Sequence, residues 1–128
     1  VHASRPGLCR LFPLGRFYEN GSFRYFLQTG ECRKENRTKV KVSRFIDTPD
    51  LKTNEKYVAD WHYFLLDAQE YVRRCADQEK VKKLNLTILN LFFLTPYDGS
   101  QEFYGQFYRR FQTAEKMREE WKRERESL

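Results

Sequence analysis

Three asparagines in the sequence have the spacing that N-linked glycosylation requires. They are Asn20, Asn36 and Asn85, and each is followed two positions later by Ser or Thr. In such motifs a sugar is attached to the asparagine side chain on the surface of a secreted protein. With 5 Asn and 12 Ser or Thr among 128 residues, chance would supply roughly half a motif. The excess predicts a glycoprotein; the alternative is coincidence, because Asn and Gly favour turns in any protein.

The cysteines are a second indication of an extracellular protein. There are three, and an odd number in a secreted chain indicates one internal disulfide bond and one leftover thiol. Cys9 and Cys32 flank the first predicted hairpin, and they are the candidate disulfide pair. Cys75 falls on the apolar stripe of a predicted helix, as a free thiol or one that pairs with another molecule. In the alternative, a cytosolic protein, all three would be reduced.

Catalysis has little support in the sequence. It contains no Gly-rich phosphate loop, no Gly-x-Ser-x-Gly, no Cys-x-x-Cys and no His-x-x-x-His. His62 lies beside the apolar stripe of a predicted helix, which is typical of a structural histidine. Asp60, Asp67 and Glu70 lie on the solvent face of the same helix. We therefore expect a non-catalytic protein without metal or cofactor, and a site made only of carboxylates is the open alternative.

Positive charge is concentrated in the first part of the chain. Residues 1–54 carry 11 basic and 5 acidic side chains, an excess equal to the net charge of +6 for the whole chain. A basic strand there could attract a polyanion, either nucleic acid or a sulfated glycan. Lysine on a strand also discourages edge-to-edge aggregation, which is the interpretation we favour. The basic patch comprises Arg33, Lys34, Arg37, Lys39, Lys41 and Arg44.

Alternating apolar and polar residues predict strands in the first part of the chain. The alternation runs from Leu8 to Ile46 and predicts three or four antiparallel strands. Asn20-Gly21 between two such alternations is a strong hairpin signal. A long helix is then predicted from about Glu55 to Ala76, because apolar residues recur there at helical spacing.

The second half of the chain has two predicted elements. Val81 to Thr95 alternates as a strand does, and a second long helix follows Ser100, which we expect to cap it. The order of strands, helix, strand and helix predicts an α+β fold. In this fold an antiparallel sheet of about four to five strands has two long amphipathic helices packed on one face.

The length of 128 residues fits a single domain covering residues 1–128. We expect a flexible N-terminus at residues 1–7 and a frayed helix end at residues 122–128. The longest apolar run, Leu91 to Leu94, is too short to span a bilayer. Val1-His2-Ala3 has the small and aliphatic residues found next to a signal peptidase site, so we expect a removed signal peptide.

Together these features predict a secreted or cell-surface glycoprotein domain. It would act without catalysis by binding another macromolecule, with a protein as the expected partner, in the role of a ligand, receptor module or inhibitor. The alternative is an intracellular basic domain, cytoplasmic or nuclear, that binds nucleic acid through the basic patch.

Overall fold

The computed structural model describes Leu11, residues 14–27 and residues 50–127. Backbone contacts divide the chain into two units, Val1–Asp60 and Trp61–Leu128. The elements of the first unit are strands β1 (Leu14–Glu19) and β2 (Ser22–Leu27) and the beginning of helix α1 (Leu51–Arg74). The second unit holds the rest of α1, helix α2 (Gln78–Leu89), a π-helical turn (Asn90–Leu94) and helix α3 (Phe103–Glu126).

The predicted hairpin is confirmed. Strands β1 and β2 pair antiparallel, with Leu14 opposite Leu27. The two residues between the strands, Asn20 and Gly21, have φ angles of 51° and 73°. Positive φ at both central positions defines a type I′ turn, whose twist matches that of the two strands it joins. The Asn-Gly pair therefore sets the hairpin, because these residues adopt the left-handed conformation most readily.

The two faces of the hairpin differ as the alternation predicts at Phe23 and Tyr25, but not at Leu27, which exposes 49% of its surface. Phe23 and Tyr25 are half-buried, whereas Ser22 and Arg24 are exposed. The Tyr25 hydroxyl donates a hydrogen bond of 3.2 Å to the Glu55 carboxylate of α1. Burial, and next the Glu55 charge, raises the pKa of Tyr25 to about 12. The phenol is therefore protonated at neutral pH and donates the bond that joins the hairpin to α1.

We expect Gly21→Ala to lower the free energy of unfolding by about 1 kcal/mol, because alanine is strained at positive φ. A Cβ atom at this position would meet no atom within 4 Å, so the loss would come from the backbone alone. Urea denaturation followed by circular dichroism measures it. Gly99→Ala is the control, since a Cβ atom there also has open space and its φ is not in the left-handed region. Equal losses of unfolding free energy in both variants would contradict the positive φ angle of Gly21 in the turn.

Helix α1 confirms the helix predicted from about Glu55 to Ala76, but it begins earlier, at Leu51. The earlier start has a cap, since the Asp50 carboxylate accepts hydrogen bonds from Thr53. The backbone N–H of Thr53 lies 3.4 Å from one carboxylate oxygen and its hydroxyl 2.6 Å from the other. An acidic side chain in this position satisfies a backbone donor that the helix leaves free.

The strand predicted from Val81 to Thr95 is wrong, because this segment is helical. Helix α2 begins after Asp77, whose carboxylate accepts bonds of 3.0 and 3.4 Å from the backbone N–H groups of Glu79 and Lys80. The cap satisfies two donors of the first turn and fixes the helix start. From Asn90 the helix continues as one π-helical turn.

The physical reason for this error is that a short apolar segment can fit both the two-residue period of a strand and the period of a helix, about 3.6 residues. Leu84, Leu86 and Ile88 alternate with polar residues, as in a strand. Leu84 and Phe92 are eight positions apart, so they also share one face of a helix, and these two are the buried residues of α2 and the π-helical turn. Burial follows the helical period, and the alternation has no structural role.

The predicted α+β fold with a sheet of four to five strands is therefore also wrong. The residues that the structure describes form a two-stranded antiparallel sheet and three helices. The sheet is smaller than expected because the predicted C-terminal strand belongs to a helix. The strand predicted around Val40 and Val42 lies outside the described residues.

Helix α3 confirms the second predicted helix and extends to Glu126. Fraying of residues 122–128 stays a prediction. Ser100 does not cap α3, since the helix starts at Phe103 and Ser100 instead donates to the Asp98 carboxylate.

The buried Gln106 closes the turn before the helix. Its Oε1 accepts a 2.7 Å bond from the Asp98 N–H, and its Nε2 donates a 2.9 Å bond to the Asp98 carbonyl.

Aromatic rings form the core of the second unit. Phe64 of α1 has no exposed surface, and its ring centroid lies 5.7 Å from that of Phe111 in α3. Phe92 and Phe107 are also buried, with ring centroids 5.5 Å apart. Within the described part of the chain, none of the helices has both the length and the hydropathy needed to cross a membrane.

Candidate functional site

The second unit contains a pocket of about 240 Å³ with an aromatic floor. Tyr71 of α1 and Trp121 of α3 stack with ring centroids 5.3 Å apart and an angle of 20° between the ring planes. Cys75 also lines the pocket. The other lining residues are charged, and they are Asp67, Glu70, Arg74, Arg118, Lys122, Glu124 and Arg125.

Helical spacing brings the floor together. Phe64, Ala68 and Tyr71 follow one another at intervals of four and three residues, so they share one face of α1, and Cys75 comes four residues after Tyr71, directly after the helix end. Trp121 lies seven residues after the fully buried Ala114, on the corresponding face of α3. Ala68 and Ala114 are both buried, and the large rings that follow them along α1 and α3 meet in the pocket floor.

Arg118 is the cation held most firmly in the pocket wall. Its Nε lies 2.5 Å from a carboxylate oxygen of Asp67 on α1, and its Nη1 lies 3.0 Å from Glu115. The Arg118 side chain is largely buried, which reduces solvent screening of both ion pairs. Arg118 therefore links α1 to α3 and is already occupied by two carboxylates.

The other two acidic residues of the pocket also have partners. Glu70 accepts from Arg74 at 2.6 Å and also from Arg73. Glu124 accepts a 3.0 Å hydrogen bond from the Tyr71 hydroxyl. Burial, and next this hydrogen bond and the Glu124 charge, raise the pKa of Tyr71 above its usual value. Tyr71 is therefore a hydrogen-bond donor at neutral pH, and its ring is fixed in the floor.

Two cations of the pocket differ from the rest. Lys122 and Arg125 are exposed, and neither has an acidic partner among the described residues. They lie one and four residues after Trp121, so the helical period places Arg125 close to the aromatic floor. Over the lining residues four cations face three carboxylates, so the pocket has an excess of one positive charge, on the side of Lys122 and Arg125.

Cys75, predicted as a free or intermolecular thiol, is half-buried and has no disulfide partner among the residues that the structure describes. Its Sγ lies 3.6 Å from the Asp77 carbonyl, just before the start of α2. The residue follows α1 directly and contacts the Tyr71 side of the pocket. Cys9 and Cys32, the predicted disulfide pair, lie outside the described residues.

The side chains considered for catalysis have structural partners. Asp60 accepts a 2.6 Å bond from Lys56, and Asp67 and Glu70 bind the arginines described above. The ring of His62 contacts Tyr63, and burial lowers its pKa, so the imidazole is neutral at pH 7. Across the described ranges no group of three or more His, Cys, Asp or Glu residues is arranged to hold a metal ion.

The structure describes two of the three predicted glycosylation sites. Asn20 is exposed at the tip of the hairpin. Asn85 is also exposed, although it lies on helix α2 and not on the polar face of a strand. Asn36 lies outside the described residues, as does the basic patch from Arg33 to Arg44.

Sequence reasoning missed the Tyr71 half of the pocket floor. The signal was available, since Tyr71 lies seven residues after Phe64 and therefore on the same helical face. No local pattern indicated the ion pair between Arg118 and Asp67, which are 51 residues apart.

Comparisons with protein-family models, curated proteins and solved structures find no match.

Proposed function

We propose that this chain is a non-catalytic domain of a secreted or cell-surface glycoprotein that acts by binding another protein. The observation that carries the proposal is that both acceptor asparagines in the described residues, Asn20 and Asn85, are exposed. A buried asparagine could not carry a glycan in the folded protein. The two sites also lie in different units, so one exposed loop does not account for both.

The exposed face of the hairpin supports a binding role. Phe17 and Phe26 expose 47% and 45% of their surface. The Arg24 guanidinium lies 4.9 Å from the centroid of the Phe17 ring and also pairs with Glu19 at 3.4 Å. Aromatic and arginine side chains are the types that contribute most at the centres of protein interfaces.

Helix α2 has an apolar face that also supports a binding role. Leu86, Leu89 and Phe93 follow at intervals of three and four residues, and all three are exposed. Phe93 alone exposes 63% of its surface. Exposed apolar faces of this kind are used by helices that dock in a partner's groove.

Glycan occupancy tests the extracellular part of the proposal. When the chain is produced behind a signal peptide in eukaryotic cells, we expect glycan on at least two of Asn20, Asn36 and Asn85. Intact mass spectrometry before and after endoglycosidase measures the number of occupied sites. A secreted product with only the bare polypeptide mass would contradict the proposal.

Thr87 provides a matched control at the helical site. Thr87→Ser keeps the acceptor motif, whereas Thr87→Ala destroys it. The Thr87 hydroxyl donates a 2.8 Å bond to the Lys83 carbonyl, which serine can also make. Loss of one glycan mass in Thr87→Ala alone would assign that glycan to Asn85.

A further inference from the structure

We propose that the Tyr71–Trp121 pocket binds an acidic apolar segment of a partner protein, with one apolar side chain in the pocket and carboxylates at its mouth. This inference rests on the protein-binding function proposed above. The volume of about 240 Å³ is below the range for drug-sized ligands, roughly 300–1,000 Å³. A pocket of this size suits a single large side chain.

The floor favours an apolar group. The stacked rings of Tyr71 and Trp121 have their polar atoms partly used, since the Tyr71 hydroxyl is bound to Glu124. The ring surface that lines the pocket is left for contact with an apolar or aromatic side chain. Tyr and Trp are also the residues most enriched among those that dominate binding energy at protein interfaces.

The charges favour carboxylates next to that side chain. Asp67, Glu70 and Glu124 are already paired within the unit. Lys122 and Arg125 have no acidic partner among the residues described, so they are available to an incoming anion. An acidic segment complements this mouth, and a basic one would be repelled by it.

The test uses the full chain and an acetylated, amidated peptide of sequence Glu-Glu-Phe-Glu-Asp, with binding measured by isothermal titration calorimetry. We expect saturable binding, and we expect the double variant Lys122→Gln, Arg125→Gln to weaken it by about tenfold, as for the loss of two exposed ion pairs. The matched control is Arg109→Gln, Lys116→Gln, which removes the same charge from exposed positions on α3 outside the pocket. We expect its affinity to stay within about twofold of the parent.

Two further peptides separate the apolar and acidic contributions. Replacing Phe by Gly, or the acidic residues by Gln, should abolish measurable binding. The indole N–H resonance of Trp121 should shift on addition of the parent peptide, which places the peptide at the floor. Equal affinities for the two double variants, no binding at millimolar peptide, or equally tight binding of a heparin fragment at the same site would each overturn the proposal.

Peptide binding and glycan occupancy test the pocket proposal and the proposed function separately. Peptide binding is measured on protein without glycan, so it does not depend on secretion. Occupied glycosylation sites without peptide binding would contradict the pocket alone. Peptide binding by a chain whose secreted form has no glycan would instead contradict the extracellular assignment.

Discussion

Replacing Phe64 by alanine should lower the free energy of unfolding by about 3–5 kcal/mol, as expected when a fully buried aromatic side chain leaves a cavity. Phe64 has no exposed surface. Its ring centroid lies 5.7 Å from those of Trp61, Phe111 and Trp121, and 6.2 Å from that of Phe92. Removing the ring therefore removes contacts to four aromatic side chains together, and the helices around it cannot all move inward to compensate.

The measurement is urea denaturation at low temperature, followed by both circular dichroism and tryptophan fluorescence. Leu66→Ala is the matched control, since Leu66 lies two positions away on the same helix and exposes 44% of its surface. Its loss should be at most about 0.5 kcal/mol, as is usual for a surface position. A Phe64→Ala variant that is as stable as Leu66→Ala would contradict the aromatic core described for the second unit.

Phe64 also connects the core to the pocket, because its ring contacts Trp121. The Tyr71–Trp121 floor therefore depends on the same packing that stabilises the helices. Substitutions that test the pocket are better placed at Lys122 and Arg125, which are exposed and make no described contact with the core.

The parts of the fold that sequence predicted are those in which local chemistry determines the structure. Asn20-Gly21 specifies its turn through two positive φ angles, and no distant contact is needed. Helix α1 can also be predicted from the sequence, because Phe64, Ala68 and other apolar residues recur at helical spacing over many turns. Such patterns are long or specific enough that tertiary contacts seldom override them.

The parts that sequence missed depend on contacts between distant segments. Leu84, Leu86 and Ile88 fit a strand as well as a helix, and the burial of Leu84 together with Phe92 decides between them. The cap at Asp77 is a local signal that could have corrected the prediction, since an aspartate before a run rich in Lys, Leu and Glu is typical of a helix start.

The same limit applies to the pocket. Trp121 lies at helical spacing from Phe107, Phe111 and Ala114, which indicates an apolar helical face, but its partner Tyr71 lies 50 residues earlier in the chain. Which ring stacks on which, and which cations remain without a carboxylate, is decided by how α1 and α3 pack. The stacking of Tyr71 on Trp121 could therefore not be predicted from the sequence.

Arg110 holds the end of the π-helical turn in a way that no local pattern reveals. Its Nη1 donates hydrogen bonds of 2.9 and 2.7 Å to the carbonyls of Leu91 and Thr95, and its Nη2 donates a 2.7 Å bond to that of Pro96. The guanidinium also lies 3.7 Å from the centroid of the Tyr97 ring. The carbonyls at a helix end have no partner within the helix and carry partial negative charge, so a fixed cation stabilises them.

We expect Arg110→Met to lower the free energy of unfolding by about 2–3 kcal/mol. Hydrogen bonds from a charged donor contribute about 1.5–3 kcal/mol each, but water can replace part of them at the exposed carbonyls of Thr95 and Pro96. Arg110→Lys should recover less than half of the loss, because an ammonium group keeps the charge but cannot fork to three carbonyls. Urea denaturation of the three proteins measures the effect.

Arg109→Met is the control, because Arg109 is exposed on the same turn of α3 and its replacement should change stability by at most about 0.5 kcal/mol. Hydrogen exchange gives a local readout at Thr95, whose N–H donates a 3.0 Å bond to the Asn90 carbonyl within the π-helical turn. Arg110→Met should speed exchange at this amide more than at amides in the middle of α1, since the turn would open without unfolding the core. Equal exchange at Thr95 in the Arg110 and Arg109 variants would mean that the guanidinium does not hold the turn, and would leave the two bonds from the Thr95 N–H and hydroxyl to the Asn90 carbonyl to hold it.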